Sequence, residues 1–211
     1  MSRVALTHRR LEIVSALLLA LATVATAWSA YQSRQWTGEQ AQNTSKATAD
    51  RIAENRSAAV ANRDVQIDVA TFVQWLDARA VGRTRLAAFY RQRFRPEFKP
   101  AFGAWLATRP LTNRSAPASP FTMPQYRLAA NAQAESLERA AARSSERSKE
   151  ANQSADNYLL AVVLLATALF FAGISTKLET TGIRAAILGA GCLIFVGVVI
   201  WIATFPVQLT T

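Results

Sequence analysis

The sequence predicts an all-α membrane protein: three transmembrane helices, with a long helical extramembrane hairpin or bundle domain between the first and the second. Three observations lead to that expectation. Residues 11–30, 158–174 and 185–205 carry no charge except Glu12, and each approaches the ~20 apolar residues that cross a hydrocarbon core about 30 Å thick. Residues 31–157 are polar and strongly basic, and form the only remaining segment long enough for a domain. From residue 40 to 80 there is neither Pro nor Gly, while alanine and charged residues abound, which is the composition of one long helix.

In order, the chain reads as a cytoplasmic tail (1–10), a first span (11–30), an extracytoplasmic helical domain (31–157), a second span (158–174), a cytoplasmic connector (175–184), a third span (185–205) and an extracytoplasmic tail (206–211). The first apolar run has two readings. Arg9-Arg10, an apolar middle and Ala25-Thr26-Ala27 match the parts of a secretory signal. The run nevertheless continues to Ala30 and passes without Pro or Gly into helix-compatible sequence, so a retained span is expected. Orientation follows from the flanks, because short cytoplasmic segments collect Lys and Arg. Arg3, Arg9 and Arg10 precede the first span, Lys177 and Arg184 lie in the connector, and residues 206–211 are uncharged. The N-terminus is therefore expected inside and the large domain outside. Trp28, Tyr31, Trp36, Tyr158 and Trp201 all fall at the expected outer ends, where amphipathic rings favour the headgroup level or serve simply as packing residues.

Inside the domain, two heptad-spaced stripes suggest an antiparallel helical stalk. One runs from Ala41, Ser45, Thr48 and Ile52 through Asn55, Ala59, Asn62 and Gln66 to Val69, Val73, Leu76 and Ala80. The other comprises Ala130, Ala134, Leu137, Ala141, Ser144, Ser148, Ala151, Ala155 and Tyr158, and leads straight into span two. So weakly apolar a seam needs further packing, from the middle segment or from a second copy. The middle, residues 69–111, supplies rings for a compact core: Phe72, Trp75, Phe89, Tyr90, Phe94, Phe98, Phe102 and Trp105. Gly82 is placed to end the first helix. A short helix is expected to open at Pro96 or Pro100 and to stop before Pro110, and residues 109–124, with Pro110, Pro117, Pro120 and Pro124, read as a loop.

Catalytic chemistry is poorly supplied. His8 and Cys192 are the sole histidine and cysteine, which removes an intrachain disulfide, a histidine-based metal site and a Ser-His or Cys-His nucleophile pair. Carboxylate-only sites remain open, but no paired-carboxylate or phosphate-cradling glycine motif is present, so no enzyme, cofactor or metal is expected. The net charge of +10 concentrates in the aromatic middle, where Glu97 is the sole acid between Arg79 and Arg114. Arg83, Arg85, Arg91, Arg93, Arg95 and Lys99 there form a candidate surface for anionic lipid, an envelope polymer or an acidic partner. Alternatively the Arg stems cover rings and pair with Asp64, Asp68 and Asp77. Nucleic acid is excluded by the expected side of the membrane. Small residues at every fourth position, Ala22, Thr26 and Ala30 in span one and Gly182, Ala186 and Ala190 leading into span three, are candidates for close helix packing, within the chain or between subunits.

Residues 22–32, the stretch 89–106, the pair Asn157-Tyr158 and the exit 170–176 resemble those of uncharacterised bacterial inner-membrane proteins with the same three-span plan, a family labelled as a domain of unknown function. The resemblance implies a bacterial cytoplasmic-membrane setting and no transferable activity. The expected role is a non-enzymatic membrane scaffold, sensor-like or accessory subunit whose external domain binds a partner, with a homo-oligomeric pore as the alternative. Its expected partners are membrane lipid and another membrane protein or a second copy. A topology reporter fused at residue 115 is expected to register outside the cytoplasmic membrane; a cytoplasmic signal would overturn the topology.

Overall fold

A computed structural model describes the backbone of residues 2–208 and the side chains of residues 9–208. Arg3 and His8 of the expected tail, and residues 209–211, lie outside the described side chains. The described secondary structure is entirely helical: α1 (Ser2–Ala80), α2 (Thr84–Arg93), α3 (Lys99–Ala107), a 3-10 turn (Pro120–Thr122), α4 (Ala129–Ser175) and α5 (Thr181–Ile202). Three of these helices, α1, α4 and α5, are long and apolar enough to cross a membrane. The α1 helix stops where the sequence supplies a left-handed residue, Gly82 at φ 73°. Arg83 N–H donates to the Ala78 carbonyl at 2.9 Å and Gly82 N–H to that of Arg79 at 3.2 Å, a Schellman closure that satisfies the last free carbonyls. Pro100 sits in the first turn of α3, where its missing N–H costs nothing.

The chain divides into two compact units, Met1–Ser45 with Ser144–Thr211, and Lys46–Arg143. In the first, small and hydroxyl-bearing residues share the inside with Leu18, Leu165, Leu188 and Val198. The buried faces carry Ser15, Ala22, Ser29 and Gln32 on α1, Ala155, Ala161, Ala168, Ala172 and Ser175 on α4, and Gly191 on α5. Large apolar side chains face outward, with Leu193 77% and Val24 68% exposed. Small residues let backbones approach closely, which is how helices associate where lipid removes the hydrophobic drive between them. A Cβ placed on Gly191 would meet Phe171 Cβ at 3.2 Å, the Ala168 carbonyl at 3.3 Å and Leu18 Cδ2 at 3.5 Å, so α1, α4 and α5 converge there. Hydroxyls on the apolar stretches bond to carbonyls one turn back, Ser15 to Leu11, Ser29 to Ala25 and Thr167 to Val163, which satisfies these donors without water.

Helices α1 and α4 run antiparallel in this unit: Ser33 Oγ donates to the Ala155 carbonyl at 3.0 Å, while Thr44 and Ser148, further along α1 and further back on α4, share a 2.8 Å hydroxyl bond. The chain end is clasped to the same pair. Fully buried Gln32 donates to the Gln208 carbonyl at 3.1 Å and accepts from its N–H at 3.0 Å, and Trp36 Nε1 and the Tyr158 hydroxyl both donate to the Pro206 carbonyl. The link between α4 and α5 is shorter than residues 175–184. It spans 176–180 only, and Arg184 lies within α5 at 5% exposure rather than in an open connector.

In the second unit, Phe72 and Trp75 of α1 pack with Phe94, Phe98, Phe102 and Trp105, and Phe121 and Tyr126 close over them. Phe98 and Phe121 stack at 5.1 Å, and Phe94, Phe102 and Trp75 meet edge to face at 4.8 Å, geometries that suit the ring quadrupole. Trp105 Nε1 donates to the Pro117 carbonyl at 2.8 Å, which pins the proline-rich loop to this core.

One expectation needs correcting. The stripe from Ala41 to Ala80 on α1 is the exposed face: Ile52, Val69, Val73 and Leu76 all point outward. The buried face holds Asn43, Ala47, Ala61, Asp68, Phe72, Trp75 and Ala78. Apolarity misdirected the reading because the inward face carries polar residues satisfied inside the fold, as where Asn43 donates to Glu39 Oε1 at 2.9 Å. The α4 stripe from Ala130 to Tyr158 is buried or half-buried throughout. Replacing Gly191 with Val is expected to cost about 1–3 kcal/mol through overpacking, whereas Gly189→Val, whose added Cβ meets nothing within 4 Å, is expected to be far milder. Thermal unfolding of the two purified variants in one detergent, followed by circular dichroism, checks the difference.

Candidate functional site

A cleft of about 600 Å³ opens between the last turns of α1, helix α2 and helix α3. Its floor is aromatic: Trp75, Phe94 and Phe102, each at most 5% exposed, with Ala87 beside them. These rings share a face because Trp75 lies on the inward stripe of α1, Phe94 leaves α2 in extended conformation, and Phe102 lies one turn into α3. Each helix also contributes one exposed cation to the lining, Arg79 from α1, Arg91 from α2 and Lys99 from α3. The Arg91 guanidinium stands 6.0 Å from the centroid of the Phe102 ring, within cation–π range. No carboxylate lines the cleft. At Gly103 a Cβ would meet nothing within 4 Å, so the cleft extends unobstructed over that turn of α3.

The neighbouring acids are committed elsewhere. Arg95 donates to Asp68 at 2.9 Å, to Asp64 at 2.8 Å and to Glu97. The Tyr126 hydroxyl donates to the same Asp68 oxygen at 3.0 Å, and Glu97 accepts from the Ala129 N–H at the start of α4 at 3.2 Å. The cluster thus ties α1, the α2–α3 connection, the proline-rich loop and α4 together. Asp68 is fully buried and its second oxygen has no partner. Burial raises its pKa above the ordinary 3.8 and the Asp64 charge adds to that, while Tyr126 and Arg95 offset part of it. Burial and the Asp68 charge push the Tyr126 hydroxyl well above its usual range. For Arg95, burial favours the neutral form, but the three carboxylates outweigh it and hold the charge more firmly.

The six basic residues singled out from the sequence do not form one surface. Arg91 and Lys99 meet at the cleft, joined by Arg79. Arg93 lies 3.5 Å over the Phe89 ring, Arg95 is held by the acids, and Arg83 and Arg85 are exposed away from the cleft lining. Stems covering rings and pairing with Asp64 and Asp68 therefore describe part of the set. Of the small residues, Ala22 is fully buried and Thr26 half-buried, Ala190 is half-buried, and Ala30, Gly182 and Ala186 are exposed. Sequence reasoning missed the Asp68–Tyr126 contact and the cleft floor. The usable signal was the spacing of Asp64, Asp68, Phe72 and Trp75 in steps of four, four and three, which puts them on one helical face.

No protein-family model, curated protein or solved structure matches the chain.

Arg95→Ala leaves buried Asp68 without its cation and is expected to cost about 3–5 kcal/mol of stability, measured as a fall in the unfolding midpoint. Because Asp68 holds its proton more tightly in the fold than in the unfolded chain, its contribution to stability is greatest below 3.8 and falls as pH rises from there through its raised pKa. Asp68→Asn is expected to flatten that fall in a series of melts from acid to neutral pH.

Proposed function

We propose that this protein is a non-enzymatic scaffold or accessory subunit of a bacterial inner-membrane complex, with α1, α4 and α5 crossing the bilayer, the N-terminus inside, and the aromatic unit outside as a head that binds an anionic partner. The observation that carries this reading is the cleft: three cations, one from each of three helices, surround buried rings with no carboxylate among them, while the nearby acids are occupied by Arg95. Three solvated cations gathered at one cleft raise the local positive potential, which draws an anion.

The membrane part of the reading is supported by the outward-facing Leu193, Val24, Phe170 and Ile200, which leave a large apolar surface that lipid would cover. It is supported too by the gathering of Trp36, Tyr158, Trp201 and Phe205 around the Pro206 clasp, since such rings favour a membrane–water interface. Exposed Ala30, Gly182 and Ala186 leave small-residue surface for a neighbouring membrane protein or a second copy.

Cross-linked pull-down from native membranes, read by mass spectrometry, tests the proposal. The native chain is expected to capture a different membrane protein, and the charge-reversed pair Arg91→Glu and Lys99→Glu to lose it while retaining helical content. Purification instead as a ring of identical subunits that conducts ions in liposomes would transfer the protein to the pore class.

A further inference from the structure

Resting on the binding-head reading, we infer that the cleft between α1, α2 and α3 takes a small amphiphilic anion: a single phosphate-type head on a flat or short apolar body. The two halves of the site demand two halves of a ligand. Arg79, Arg91 and Lys99 bring three like charges to one cleft with no acid among its lining, and an anionic head relieves their mutual repulsion. Above the buried rings the accessible apolar lining is exposed Ala88 and half-buried Leu106, over which the same ligand's apolar body would lie. A bare inorganic anion would answer the cations and leave Ala88 and Leu106 facing water. A neutral apolar molecule would cover that lining while pushing uncompensated charges into a drier setting, which is unfavourable. Only a molecule with both parts satisfies both sets of groups. The volume, about 600 Å³, lies within the range of roughly 300–1,000 Å³ typical of small-molecule sites. That size suits one head and a two-ring or short-chain body rather than a polymer. The open space at Gly103 adds room along α3, where the body would lie.

The test uses the full chain in nanodiscs of zwitterionic lipid, titrated calorimetrically with 2-naphthyl phosphate, inorganic phosphate and 2-naphthol. Naphthyl phosphate is expected to bind at least about tenfold more tightly than either half alone, with Arg91→Glu and Lys99→Glu each weakening it by a similar factor. Gly103→Phe, which fills the cleft, is expected to abolish binding. Gly103→Ala, whose added methyl meets nothing, and Arg85→Glu, which is outside the lining, are expected to retain it and so control for folding. Displacement of the probe by short-chain phosphatidic acid would point to a lipid as the natural source. Displacement by soluble aryl phosphates alone would point to a free metabolite, and either result upholds the site. Equal affinity for all three probes, or binding indifferent to Lys99→Glu and Gly103→Phe, would overturn it. Failure here with partner capture intact removes the ligand and leaves the binding head standing, whereas a bound probe with no captured partner does the reverse.

Discussion

Close approach of small side chains is the constraint on which the Met1–Ser45 and Ser144–Thr211 unit depends. Ala161, Ala168 and Ala172 on α4, Ala22 on α1 and Gly191 on α5 bring three backbones near enough that one extra methyl at Gly191 would lie 3.2 Å from its neighbour. Burial of large apolar groups is confined to a few positions such as Leu18, Leu165, Leu188 and Val198, while Leu193, Val24, Phe170 and Ile200 point away. Dispersion between closely fitted surfaces adds to that burial, and hydroxyls bond either to their own helix, as Ser15 and Ser29 do, or across helices, as Ser33 does to the Ala155 carbonyl. That requirement explains why serine, alanine and glycine occupy the inside, and why a buried glutamine is tolerated where Gln208 satisfies both ends of its amide.

The Lys46–Arg143 unit is held by a different balance. Its rings bury conventionally, and its one deep charge, Asp68, is tolerated because Arg95 and Tyr126 reach it. A buried carboxylate of this kind does more for specificity than for stability, since desolvation consumes much of what the ion pair returns. Its structural consequence is positional. By drawing Asp64, Asp68 and Glu97 onto one guanidinium, the cluster leaves Arg79, Arg91 and Lys99 without acids beside them.

Much of the helical layout was legible beforehand. Uncharged runs marked the three long apolar helices, Gly82 marked the end of α1, Pro100 was one of two prolines offered for the start of α3, and the spacing of Ala134, Ala141, Ala151 and Ala155 marked the buried seam of α4. The inward face of α1 was not legible. Two stripes with helical period compete on that helix, and the more apolar one, through Ile52, Val69 and Val73, is the one left outside. Hydrophobic periodicity identifies a buried face only when the buried contacts are themselves apolar, and here they include Asn43 and Asp68.

The sequence by itself determined the three long apolar helices, the end of α1 and the abundance of positive charge, because glycine geometry and the length of uncharged runs are local properties that need no partner. Only the tertiary structure decided which cations are free. Whether an arginine is neutralised, stacked on a ring or left at a cleft depends on groups distant in sequence, as when Arg95 finds Asp64 and Asp68 on another helix while Arg91 finds the Phe102 ring and a cleft lined by no acid. Charge acts through space over a few ångströms, and those distances do not exist until the chain has folded.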